Sequence, residues 1–273
     1  MKQIKDYSIS QEDFRLTYHK DLDLYQTEFS NFENLGSYYE SEKYISHTDS
    51  NSGWFDQLYQ LVKNKTIKSK WNLLQQFVST KRGNVLDVGC GTGDFLKFGK
   101  SIGFDVVGVE PNANARNLAQ TKSLNVIEHL DEIPETKFDV ITLWHVLEHV
   151  PDYNEYLSKL KSLLKPNGVL IIAVPNFNSF DAQHYKNYWA AWDVPRHLWH
   201  FSKTAIKKIA HQHQLQLIHI KPMYFDSFYV SLLSEEYKTG TKNVFKGFFI
   251  GLWSNLRGIT TNEFSSHIYI LKK

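Results

Sequence analysis

Val-Leu-Asp-Val-Gly-Cys-Gly-Thr-Gly-Asp, from Val85 to Asp94, decides how the rest of this chain is read. An aliphatic run ends in three glycines at alternate positions, Gly89, Gly91 and Gly93, and Phe95-Leu96-Lys97-Phe98 then resumes with helical spacing. That is a strand, a tight turn and a helix start. Glycines let a backbone bend sharply and bring its N–H groups close to a ligand, because no Cβ intervenes. The turn is expected to lie against a bound molecule.

The flanking charges narrow the choice of ligand. A dinucleotide fingerprint, Gly-x-Gly-x-x-Gly, needs a third glycine where this chain has Asp94, and a carboxylate there would face a pyrophosphate. Asp87 and Asp94 suit a ligand with positive charge, such as the sulfonium and ammonium groups of S-adenosylmethionine (SAM). Glu110 ends the next strand, Phe104-Asp105-Val106-Val107-Gly108-Val109, where an acidic side chain accepts hydrogen bonds from ribose hydroxyls.

Four stretches in order carry a family resemblance. Leu86-Asp87-Val88-Gly89-Cys90-Gly91-Thr92-Gly93, Val109-Glu110-Pro111, Phe138-Asp139-Val140-Ile141 through Leu147-Glu148-His149-Val150, and Leu164-Lys165-Pro166-Asn167-Gly168-Val169-Leu170 resemble the successive motifs of class I SAM-dependent methyltransferases. The group that includes the ubiquinone-biosynthesis O-methyltransferases is the most similar. The resemblance implies SAM as cofactor, with Asp87, Gly89, Cys90, Gly91, Gly93, Glu110 and Pro111 around it; the stretch Glu128 to Asp131, with His129 and Leu130, is expected to supply the adenine contacts without the sequence deciding which residue does, and Trp144 and His145 are further expected contacts. It also makes His149 a candidate base. Relatives in this group often carry a cysteine-rich zinc module ahead of the domain; this chain has no cysteine there, so no metal is expected.

The whole chain sets bounds. Its 273 residues are enough for one large domain with an appendage. Apolar residues at 42 % and aromatics at 15 % argue against disorder. A formal net charge of +2 is too balanced to argue for nucleic acid, whose binders usually show a clustered basic face, so no nucleic-acid partner is expected. Cys90 is the one cysteine; no internal disulfide can form, and a small side chain filling the turn is its expected role. The first residues lack a signal-peptide core, and no apolar run approaches the roughly 20 residues that span a bilayer. A cytoplasmic protein is the expectation.

Taken in order, residues 1–50 read as a leader in which Phe14 to Tyr18 alternates like a strand. Tyr38-Tyr39 and Tyr44-Ile45-Ser46-His47 either close over the cofactor or pack. Residues 51–273 read as the main domain. Apolar spacing from Trp54 to Val78 is helical, with Lys63, Lys65, Lys68 and Lys70 on or near the wet side. Beyond Glu110, helices over 112–122 and 153–164 alternate with strands over 124–127, 138–143 and 169–174. Such alternation predicts an α/β, Rossmann-like, mostly parallel sheet with helices on both faces and ligands at the carboxyl ends of its strands. A helix capped by Ser202, a strand over 215–220 and a last strand over 267–271 follow; the resemblance implies seven strands in all, with the last two antiparallel at one edge. The long excursion 222–266 is expected to form a helical cap, though its apolar run at 244–257 also suits weak contact with a membrane surface.

Methyl transfer removes the donor's positive charge in an in-line displacement, so the protein must chiefly bind and align; a base is needed only for a poorly ionised acceptor. Trp144 and His145 follow the fourth strand and are expected to reach the methionine or acceptor end. His145 and His149 serve either as bases or as hydrogen-bonded supports. Asn187 to Phe201 holds Trp189, Trp192, Trp199, Arg196, His197 and His200, and reads as an aromatic wall of a small-molecule acceptor pocket with His197 or His200 as alternative base. On the other reading the tryptophans are core and Arg196 pairs with Asp193. Zinc on His197 and His200 lacks a third ligand in the sequence.

Overall fold

The computed structural model describes residues 2–29, 36, 38, 54–78, 82–134 and 136–273, with only the backbone of 54–61. Tyr39 and Tyr44 to His47, expected either to close over the cofactor or to pack, lie outside the described residues.

Seven strands form one sheet. They are β4 (Asn84–Val88), β5 (Asp105–Val109), β6 (Asn125–Ile127), β7 (Phe138–Trp144), β8 (Leu164–Pro175), β10 (Gln216–Pro222) and β11 (Ser266–Lys272), in the order β10-β11-β8-β7-β4-β5-β6. The β4 strand pairs in parallel with β5 (Val85 opposite Val106) and with β7 (Val85 opposite Val140). The sheet is mostly parallel with an antiparallel strand toward its β10 edge, as expected. Helices between the strands are α1 (Trp54–Gln75), α2 (Asp94–Ser101), α3 (Ala113–Thr121), α4 (Tyr153–Leu163), α5 (Phe180–Tyr185) and α6 (Lys203–Gln212). Ser202 caps α6, its hydroxyl accepting from the Ala205 N–H.

Residues 222–266 hold two helices, α7 (Asp226–Thr239) and α8 (Val244–Thr261). Their packing is inverted relative to an ordinary surface helix. The glycines of α8 face inward: a Cβ on Gly247 would stand 2.8 Å from the Cα of Leu232, and one on Gly251 would stand 2.8 Å from the Cα of Phe228. The backbones therefore approach closely. The aromatic residues of α8 face outward, with Phe245 81 % exposed.

A second sheet joins β1 (Lys2–Lys5), β2 (Asp13–His19) and β3 (Leu24–Thr27) to β9 (Trp199–Phe201). The alternation of Phe14 to Tyr18 is thus a strand. Its partner through β3 lies over 170 positions further along the chain, with Leu24 opposite Phe201.

By contact density the chain forms two compact units. One comprises residues 1–41, 145–156 and 172–271, and the other comprises 42–144, 157–171 and 272–273. In the second, Trp71 of α1 is fully buried, stacks on Phe95 with centroids 4.7 Å apart and donates its indole N–H to the Phe95 carbonyl at 2.8 Å. Lys65 and Lys68 face solvent as expected, whereas Lys63 and Lys70 are half-buried.

Candidate active site

The turn after β4 has the predicted form. Gly89, Gly91 and Gly93 all have positive φ, at 67°, 54° and 80°, a region that side chains disfavour. The Gly89 and Cys90 N–H groups donate to the Val109 carbonyl at 2.8 and 3.1 Å, fixing the turn to β5. Gly93 is needed for packing, since a Cβ there would meet Leu124 at 2.5 Å. Gly91 differs, because among the described residues none beyond its chain neighbours lies within 4 Å of where its Cβ would be. Its surface is open, as a ligand cradle requires. Cys90 packs with Leu96, Ala119, Leu124 and Val126, and burial pushes its thiol up, so it fills space rather than reacting.

The carboxylates divide their work differently from the sequence reading. Asp94 opens α2 and is paired with Lys63 at 2.5 Å and Lys122 at 2.6 Å. Burial opposes its charge, but the lysines hold its carboxyl below the usual range. Its charge is already met, so it does not serve a cationic ligand. Asp87 is buried and accepts a hydrogen bond from the Thr142 hydroxyl at 2.6 Å. Burial pushes it up to about 7, with Glu110 adding to the rise and Thr142 and Lys70 opposing it. Glu110 takes the Gly91 N–H on Oε2 at 2.8 Å and the Asn112 N–H on Oε1 at 2.9 Å. Each oxygen retains a second lone pair for a hydroxyl donor.

Other expected cofactor residues stand around this turn or further along the same unit. Pro111 is exposed and its carbonyl accepts from Arg116. Leu130 is buried, and His129 stays exposed, its backbone N–H bonded to Glu132. The Trp144 ring meets Phe95 edge-on at 5.9 Å and carries the Lys70 ammonium 4.2 Å from its centroid. Its indole Nε1 is buried with no hydrogen-bond partner, which is costly for a donor unless a bound group accepts from it. An open glycine, a buried carboxylate and an orphaned indole fit a cationic adenosyl ligand. A cavity of about 480 Å³ lies instead at the amino ends of these strands, around Asn84, Asp105, Asn125 and Phe138. Open parallel sheets bind ligands at the other end, so it is not the cofactor site.

The histidines belong to the first unit and are unlike one another. His145 has φ 58° and bridges two carboxylates, Glu148 Oε1 at 3.3 Å and Asp226 Oδ2 at 2.9 Å. Burial opposes protonation, but Asp226 and Glu148 raise the imidazole to about 10. It is an imidazolium at neutral pH and cannot accept a proton as a base. His200 is buried in β9, its Nε2 held by the Thr27 hydroxyl at 3.0 Å, and burial lowers its basicity well below the usual range. It is a strut between β9 and β3. His149 and His197 remain together, with ring centroids 4.6 Å apart. His149 Nδ1 lies 2.9 Å from the Arg196 carbonyl, and His197 Nδ1 lies 2.9 Å from the Ala191 carbonyl. Burial, with His197 adding, lowers His149 to about 4.

The aromatic wall is core. Trp189 and Trp192 are buried among Ile4, Phe14, Leu16 and Tyr185, and the indole N–H groups of Trp189, Trp192 and Trp199 are bonded to Asp181, Lys186 and Val150. Three amphipathic rings whose polar tips are all satisfied internally have nothing left to offer an acceptor. Arg196, 1 % exposed, donates to Asp193, Asp6 and Ser8 and to the carbonyl of Tyr38. Tyr38 itself packs edge-on against Phe14 and Phe29. The role of Asp6 as acid partner of Arg196 had no sequence signal, because it rests on contact across 190 positions.

Comparison with known proteins agrees with this geometry. A family model described as a methyltransferase domain matches residues 64–220. The ubiquinone biosynthesis O-methyltransferase of Rhodopseudomonas palustris (strain TIE-1) is 33 % identical over 147 residues, 49 % of this chain and 58 % of that protein. The chain thus spans a little over half the length of the curated relative it matches. Magnesium protoporphyrin IX methyltransferase from Synechocystis PCC 6803, solved with bound SAM, shares the fold with a TM-score of 0.56 at 14 % identity, over 90 % of this chain and 98 % of that one. A SAM-dependent methyltransferase from Archaeoglobus fulgidus superposes with a TM-score of 0.53 at 18 % identity, over 81 % and 100 %.

Proposed function

The chain belongs to the class I SAM-dependent methyltransferases, and on that premise we propose that it methylates a small-molecule acceptor at a hydroxyl oxygen. SAM supplies a methyl group made electrophilic by the sulfonium. The C–S bond breaks as the O–C bond forms, and the acceptor's proton leaves. The observation that carries the reading is the open turn at Gly91, with Asp87 buried beside it in the fold and Glu110 locked to the turn's own amide. Glu110 is assigned to the ribose hydroxyls, Asp87 to the cationic end, and the buried Trp144 Nε1 to an acceptor atom of the ligand; Pro111, His129 and Leu130 are assigned to the adenosine portion. Oxygen as the methylated atom is supported by the similarity to ubiquinone biosynthesis O-methyltransferases. The test is calorimetric titration with SAM, followed by turnover of methyl-labelled SAM with a panel of phenols and aliphatic alcohols. Absence of saturable SAM binding would sink the reading; binding without transfer to any acceptor would reduce it to a ligand-binding module.

Asp87 makes cofactor binding pH-dependent. Its folded value, pushed up to about 7, lies above an unfolded carboxylate's roughly 3.9. Ionising it therefore works against the ligand-free fold as pH rises from about 4 to 7. A cationic ligand reverses the balance by favouring the carboxylate. SAM affinity is expected to weaken by up to about tenfold per pH unit below 7 and to level off above it. Calorimetry in buffers of different ionisation heat should show proton release near pH 6.5. Asp87→Asn should flatten the profile, and a flat profile in the unaltered protein contradicts the assignment.

The outer face of α8 supports a second contact. Phe245, Phe248, Phe249, Leu252, Trp253, Leu256 and Ile259 are all exposed, while Gly247, Gly251 and Gly258 are buried. Among the described residues no helix is long and apolar enough to cross a membrane. With Lys242, Lys246 and Arg257 nearby, this face suits shallow insertion at an anionic lipid surface. Co-sedimentation with phosphatidylglycerol-containing vesicles should fall about tenfold in a Phe245→Ser/Phe249→Ser double variant; equal binding by both proteins would remove the assignment.

A further inference from the structure

We propose that Glu148, His149 and His197 bind one divalent transition-metal ion of the zinc class, leaving a coordination position for an oxygen ligand. One donor atom from each of the three residues lies within 4.8 Å of the others. All belong to the same compact unit, on the single turn Leu147–His149 and the segment that leads into β9. Glu148 is fully buried, and its Oε2 has no hydrogen-bond partner. A buried carboxylate oxygen without a donor is costly, and a cation satisfies it.

The histidines carry the tautomer that a metal needs. In each, Nδ1 lies 2.9 Å from a backbone carbonyl, that of Arg196 for His149 and that of Ala191 for His197. A carbonyl only accepts, so Nδ1 bears the proton and the lone pair resides on Nε2. Carbonyl partners on the outer nitrogen are the usual means of orienting metal-ligating histidines. His200, considered from sequence as a partner for His197, is instead tied to Thr27.

Local charge has the right sign. Glu148 and Asp226 flank the single cation His145, and Asp193 and Asp6 flank Arg196. Four carboxylates gathered around one arginine and one histidine suit a dication. Zinc–nitrogen bonds of about 2.1 Å at tetrahedral angles place donors roughly 3.4 Å apart, a spacing that lies inside the 4.8 Å within which these donor atoms stand. Two imidazoles and one carboxylate form a donor set for zinc or ferrous iron with open positions. An oxygen ligand taken up there would lose its proton more readily.

The test uses the full chain, stripped with a chelator and titrated with Co²⁺ by visible absorption, then with Zn²⁺ against a chromophoric chelator. One equivalent should bind with the visible bands of four- or five-coordinate cobalt. Glu148→Gln and His197→Asn should each weaken binding by more than the roughly 10–100-fold that loss of an outer partner costs. His211→Gln, at an exposed histidine outside the site, should leave it unchanged. Absence of a one-equivalent Co²⁺ or Zn²⁺ complex in the unaltered chain overturns the proposal. So does equal binding in the Glu148→Gln and His197→Asn chains, which would mean an adventitious ion only. SAM titration run in parallel separates the outcomes, because failure of the cofactor reading would appear there and not in the metal stoichiometry.

Discussion

Replacing Gly91 with leucine is expected to weaken SAM binding by more than about 100-fold, close to 2.7 kcal/mol, while the chain still folds. The asymmetry follows from position. Among the described residues, none beyond its chain neighbours comes within 4 Å of the added Cβ, so the first atom of the new side chain meets no internal obstacle there. It costs about 1–2 kcal/mol for a side chain at φ 54°, which lowers the melting temperature by a few degrees at this chain length. The new side chain occupies the space over the turn that the ligand is assigned to. Calorimetric titration and a thermal melt read the two effects separately. Unchanged SAM affinity in a folded Gly91→Leu protein would move the cofactor elsewhere.

The second large effect is on stability. Arg196→Met is expected to cost about 3–5 kcal/mol, a substantial part of the roughly 5–15 kcal/mol that holds a typical domain folded. Methionine keeps most of the volume but leaves Asp6 and Asp193 facing one another's surroundings without their cation. Burial pushes Asp6 up, and only the Arg196 hydrogen bond and charge, with help from Ser10 and Ser8, bring it down to about 2. A depressed carboxylate stabilises the fold above its unfolded value, so this contribution is present above about pH 4 and fades as pH falls toward 2. Urea unfolding at pH 7 and at pH 3 should show a large difference between the proteins at the higher pH and a smaller one at the lower. Adding Asp6→Asn and Asp193→Asn to Arg196→Met should recover part of the loss. A difference under 1 kcal/mol at pH 7 would show that the cluster is not critical.

What the sequence makes legible is whatever depends on neighbours along the chain. The aliphatic run ending at Val88, the alternate glycines and the alternation of apolar strands with helical segments are local patterns, and each produced the element expected. The turn's chemistry was equally visible, because the residues that shape it are consecutive. Partners across long separations were not. Asp94 looked like one half of a charged cradle, yet Lys63 and Lys122 come to it from α1 and from the end of α3. The tryptophans between Trp189 and Trp199 looked like a wall, because composition records that rings are present and not which side of them is covered. The leader strands β1 to β3 cover them, and a cross-strand partner such as Phe201 for Leu24 leaves no periodicity in either segment. The base fared likewise. Two acidic neighbours, one of them Asp226 in a distant helix, convert His145 from proton acceptor to fixed cation.

The grip of Glu110 on the Gly91 and Asn112 amides has a kinetic meaning. A glycine-rich bend left to itself samples many shapes, and a ligand arriving at it must first wait for the right one. Here the side chain assigned to the sugar also splints the bend, so the receiving shape exists before anything arrives and little ordering remains to be done on encounter. The two oxygens of a single carboxylate thus join the bend after one strand to the start of the helix after the next.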